Sequence, residues 1–131
     1  MSTLRSISLG LVMAATPAGA FISDSDPQLH FFATCAGRLS ALMEHQWTYD
    51  TAAVAQTTAQ RSEMIDLVFA IMPENAGRTV LLMQVEAKHA QAGLLQRAAI
   101  NRDPADANWA RARADALLTE CTSVLVSSSR R

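Results

Sequence analysis

Lysine occurs once in this chain, at Lys88, and the arginines are dispersed rather than clustered. A surface that grips phosphates needs grouped Lys and Arg, so nucleic acid is excluded as a partner class. No apolar run approaches the ~20 residues that a helix needs to cross a bilayer. The two cysteines form no Cys-x-x-Cys, which argues against a dithiol redox role. There is no Cys-x-x-Cys-His, which excludes covalently attached c-type haem. No segment alternates apolar and polar residues with a period of two, so strands are not expected.

The N-terminus carries an address instead of a fold. One positive charge at Arg5 precedes an apolar run from Ile7 to Ala15, then Thr16, Pro17 and the small residues Ala18, Gly19 and Ala20. Charged start, short apolar middle and small-x-small end make a cleavable secretory signal over residues 1–20, cut after Ala20. No cysteine sits immediately after the cut, so a lipid anchor is not expected. Cleavage leaves roughly 110 residues, enough for one core and too few for two. The bundle domain is placed at 21–126, with a polar, frayed tail over 127–131. Export implies a periplasmic protein with no membrane span once the signal is gone.

In an oxidising compartment, Cys35 and Cys121 are most simply a structural disulfide. Closing a loop of 86 residues restricts the unfolded chain by about 4 to 5 kcal/mol in the entropic model, a large share of a small domain's stability.

Period and punctuation give four helices. The first starts at Asp26-Pro27, with Asp as N-cap and Pro at the first helical position, and its stripe runs Leu29, Phe32, Cys35/Ala36, Leu39, Leu42/Met43 and Gln46/Trp47. It ends near Tyr49-Asp50, and Thr51 to Gln56 reads as a loop or an extra turn. The second is expected to be capped by Thr57 with Gln60 three residues on, to bury Met64, Ile65, Val68, Ile71 and Met72, and to stop at Pro73. The third, from about Arg78 to Ile100, has a small-residue seam of Val80, Met83, Ala87, Ala90, Leu94 and Ala98, and Gly93 marks a contact point. The fourth opens on Asp103-Pro104 and presents Trp109, Ala112/Arg113, Ala116/Leu117, Glu120/Cys121 and Val124. The expected fold is all-α, an up-down four-helix bundle with the disulfide joining the first and last helices. Trp47 and Trp109 each lie twelve residues from their nearer cysteine, which puts both at the end of the bundle far from the bond, ~18 Å away.

Constellations that could carry chemistry are few. Glu86 and His89 have the Glu-x-x-His spacing of di-iron bundles, but such a site needs two of these motifs and further glutamates, so a solvated face is the better reading. Glu44, His45 and His30 belong to no ligand triad. Met43, Met64, Met72 and Met83 fall on the helix stripes, where packing accounts for them better than copper binding does. No metal or cofactor is expected, nor any catalytic residue. The remaining signal lies where the second helix meets the third: Leu67 to Met72 and Val80 to Val85 are apolar nearly all the way round. Such segments demand burial on more than one side, which makes Phe69, Met72, Leu81 and Leu82 a candidate face for a protein partner or a second copy of the chain.

The segment Phe31-Phe32-Ala33-Thr34-Cys35-Ala36-Gly37-Arg38-Leu39-Ser40-Ala41-Leu42-Met43-Glu44-His45-Gln46-Trp47 resembles small exported helical proteins of alphaproteobacteria. The Asp103 to Trp109 start of the fourth helix is similar to the same group. That group has no known activity, so the resemblance implies periplasmic placement and transfers no site residue.

Together these features point to a non-enzymatic periplasmic module that binds a protein partner or assists an envelope complex. The alternative is a bundle that binds a small ligand or metal, or an enzyme with a site between helices, its pocket lined by Trp47 and Trp109. The intact mass of the exported protein checks the first premise: it should equal residues 21–131 less two hydrogens.

Overall fold

The computed structural model describes residues 26–128; the expected signal segment, Phe21 to Ser25 and residues 129–131 lie outside the described residues. Four helices follow one another: α1 over Pro27–Tyr49, α2 over Val54–Ile71, α3 over Gly77–Ile100 and α4 over Pro104–Ser128, with a short 3-10 turn at Thr51–Ala53 before α2. No strand occurs among the described residues. None of the described helices is long and apolar enough to cross a membrane.

The helix starts that the sequence punctuates are well capped. The Asp26 carboxylate accepts from the backbone N–H groups of Gln28 and Leu29, and Asp103 accepts from Ala105 N–H, satisfying donors that a helix's first turn leaves open. The start of α2 departs from expectation. It begins at Val54 without a side-chain cap, and Thr57 is a buried residue of its first turn. The 3-10 turn feeds directly into it, so the chain needs no separate cap. At its other end α4 continues through Ser128, two residues into the segment read as a tail.

The helices alternate in direction. Leu29 near the start of α1 packs with Val68 near the end of α2 and Val80 near the start of α3, while Ala41 packs with Leu95 on α3 and Ala114 on α4. Cys35 and Cys121 are bonded, their Cα atoms 5.4 Å apart, and both are fully buried. Leu39, Met64, Leu118 and Leu125 surround the bond and make it part of the core.

The arrangement is not a square of sequence neighbours. α1 is the hub and packs most extensively on α3, the helix diagonal to it in a regular bundle. Gly37 permits this. A Cβ built there would lie 2.2 Å from the carbonyl oxygen of Gln84 and 3.1 Å from the Ala87 Cβ, so only a hydrogen lets the two backbones come this close. Gly93, the glycine expected at a contact, faces open space. α2 and α3, though consecutive, do not pack backbone against backbone. α4 lies along α3 and is tied to α1 by the disulfide.

Two stripes are rotated from their expected phase. On α4 the buried residues are Ala107, Ala110, Ala114, Leu118, Cys121 and Leu125, while Trp109 is 55% exposed. The bonded Cys121 fixes that phase: mixed steps of three and four from it reach Leu118, Ala114, Ala110 and Ala107, whereas Trp109 is reached by repeated steps of four, which drift by about 40° each around the helix. On α3 the core takes Val80, Gln91 and Leu95 and leaves Ala90 exposed. Gln91 donates from Nε2 to the Ala114 carbonyl at 3.2 Å, while its Oε1 is buried without a partner.

The two glycines give a prediction of opposite signs. Gly37→Ala should lower stability by about 2 kcal/mol or more, because the clash is with backbone that cannot rotate away. Gly93→Ala should raise it by roughly 0.5 to 1 kcal/mol through helix propensity. Thermal melts of the oxidised proteins measure both.

Candidate docking groove

Because α2 and α3 stand apart, a trough opens between them with α1 as its floor. Helical period sets its walls. On α2 the facing stripe is Arg61, Ile65, Val68/Phe69 and Met72; on α3 it is Gly77, Val80/Leu81, Gln84 and Lys88. The helices run in opposite directions, so Met72 faces the start of α3 and Arg61 faces Lys88. One end, lined by Ile65, Val68, Phe69, Met72, Val80 and Leu81, is apolar and encloses about 250 Å³. The other is polar and receives Ser40 and Glu44 from α1.

The apolar residues here exceed what the core consumes. Val68 and Val80 are buried and belong to the core. Phe69, Leu81 and Leu82 are 67%, 58% and 55% exposed, and Val85 beside them is also exposed. A single exposed leucine needs no explanation, but Phe69, Leu81 and Val85 line adjoining pockets on the two helices and form a patch of the kind that marks interaction surfaces. Met72 is half-buried and packs under this patch against Val68 and Val80. Of the four residues singled out from sequence as a partner face, Phe69, Met72 and Leu81 line the same pocket, while Leu82 is exposed on α3 outside that lining.

The polar end holds a charge the sequence reading missed. Arg61 is half-buried, and its Nε donates to Ser40 Oγ at 2.6 Å, while the Ser40 hydroxyl donates to the Ala36 carbonyl at 2.8 Å. Lys88 pairs with Glu44 at 2.5 Å. No carboxylate pairs with Arg61 among the described residues. Position 61 falls on the same stripe as Ile65 and Val68, and that periodic relation was the available signal.

The other candidates separate. Trp47 and Trp109 lie near the end of α1 and the start of α4, at the same end of the bundle, and both are largely exposed. Trp109 lies under the Arg97 guanidinium, 5.1 Å from ring centroid to Cζ, and Arg97 also pairs with Asp106. The trough at that end is lined by Leu42, His45, Gln46, Tyr49, Arg111 and Asp115, among others, and by neither indole. His45 stacks on Tyr49, centroids 4.4 Å apart, and His30, Glu86 and His89 are exposed. Met64 is buried beside the disulfide, while Met72 and Met83 belong to a different cluster. Among the described residues no three His, Cys, Asp or Glu side chains gather in a group able to hold a metal.

No family model, curated protein or solved structure matches this chain.

Exposure separates folding from docking in a measurable way. Phe69→Ser and Leu82→Ser should each leave stability within about 0.5 kcal/mol of the parent, since neither side chain is buried. Val68→Ala, at the position next to Phe69 but inside the core, should cost about 2 kcal/mol. Urea titrations followed by circular dichroism distinguish the two classes.

Proposed function

We propose that this protein is a non-enzymatic module of the periplasm that docks a protein partner in the trough between α2 and α3. One observation carries the reading: Phe69 and Leu81 stand exposed and line the same pocket, on two helices that leave a gap between them. The fold does not need these side chains in water, and their grouping matches the buried centre of a helix-in-groove interface.

Export supports the setting. The charged start, apolar middle and small-residue end of residues 1–20 read as a secretory signal, and a fully buried disulfide suits an oxidising compartment. A small ligand is the weaker occupant of this trough. Its apolar end, at about 250 Å³, is smaller than most ligand pockets. A second copy of the chain is the competing macromolecular partner.

Site-specific photo-crosslinking in the intact periplasm tests the reading. A photoreactive residue at Phe69 or Leu81 should trap one reproducible neighbour, and the same residue at Gln96 on the exposed surface near the end of α3 should not. A crosslink to the same chain would move the conclusion to self-association. Equal, diffuse labelling from all three positions would refute docking at this face.

A further inference from the structure

The groove has a second, chemically different half, and its content narrows the occupant. We propose that the partner enters as an amphipathic helix that lays an apolar face on Phe69, Met72 and Leu81 and brings an Asp or Glu carboxylate to Arg61. This rests on the docking reading above and adds to it the charge of the partner.

Arg61 is the reason. A guanidinium always carries its charge and offers five N–H donors in a planar fork. Among the described residues one donor is used, by Ser40 Oγ, and the residue is half-buried. The adjacent charges do not compensate it, because Glu44 is taken by Lys88. Glu63 and Asp66 are exposed on α2 at positions two and five residues on, which helical period turns away from the stripe that Arg61 heads. The Ser40 bond holds the guanidinium at the polar end of the trough, where Arg61 is part of the lining and its remaining N–H groups can donate to an incoming carboxylate. An anion there would also lie beside Lys88 on the opposite wall.

Spacing fixes where the partner's acid must be. Arg61 lies within α2 and Met72, eleven residues on, caps its C-terminal end, so the apolar and cationic ends are separated by ~16 Å, about three turns. A helix laid along the trough would carry apolar anchors at i, i+4 and i+7 and its acid three turns from the outermost anchor. The requirement for a carboxylate is what distinguishes this partner from a generic greasy helix.

A displayed library of four-turn helices, apolar at i, i+4 and i+7 and randomised elsewhere, panned against the oxidised full-length chain, tests the proposal without knowledge of the natural partner. Binders should be enriched in Asp or Glu three turns from the outermost anchor. The same library panned on Arg61→Glu should enrich Lys or Arg at that position. A recovered Glu-bearing peptide should lose roughly tenfold in affinity when its Glu becomes Gln, and that loss should vanish on Arg61→Gln. The peptide substitution leaves the protein untouched, so it reads the contact even if an Arg61 variant folds poorly. Binders that depend on Phe69 and Leu81 but show no acidic preference would overturn this inference and leave docking standing. No enrichment at all, or binders indifferent to Phe69→Ser and Leu81→Ser, would overturn both.

Discussion

The contact on which this structure depends is the one between the backbones of α1 and α3 at Gly37. A glycine within a helix sacrifices about 1 kcal/mol of propensity, and here the return is a backbone approach that any Cβ would block. Bringing α1 onto the diagonal helix has a geometric consequence. α1 becomes the hub, with buried residues on several sides, and α2 is left on its flank without reaching α3. The trough is therefore a product of the packing, set in place by a residue with no side chain.

The rest of the core is built to suit close helices. α4 buries alanines along most of its length and reaches larger residues only near the disulfide, at Leu118 and Leu125. Small side chains let helices approach but bury little apolar area each, so the hydrophobic contribution per turn is modest. The disulfide offsets that deficit by restricting the unfolded chain, and it ties α4 to the hub where their packing is otherwise slight. Gln91 belongs to the same design: it bonds α3 to the α4 backbone at the cost of one unpartnered oxygen.

A docking surface on such a scaffold has a clear division of labour. Val68 and Val80 face inward and hold the walls, while Phe69 and Leu81, their sequence neighbours, face the solvent. Because a helix turns 100° per residue, adjacent positions serve opposite purposes, and a continuous apolar run satisfies the core and a partner at once. Arg61 extends the stripe by one further turn and exchanges greasy contact for charge. The two ends of the trough thus ask for different chemistry from one bound helix.

The sequence alone determined the number of helices, their boundaries at Asp26-Pro27, Pro73 and Asp103-Pro104, the pairing of Cys35 with Cys121, and the surplus of apolar residues around Phe69 and Leu81. These are legible because caps, proline stops and apolar periods act within a few residues, and because two cysteines allow one bond. Tertiary structure alone decided which glycine is a contact, Gly37 and not Gly93, which phase of α4 faces inward, and that Arg61 stands opposite Lys88. Each of these depends on what the neighbouring helix presents. An alanine-rich helix offers several stripes of nearly equal hydrophobicity, so its sequence leaves the choice to the partner surface, and that surface exists only after the chain has folded.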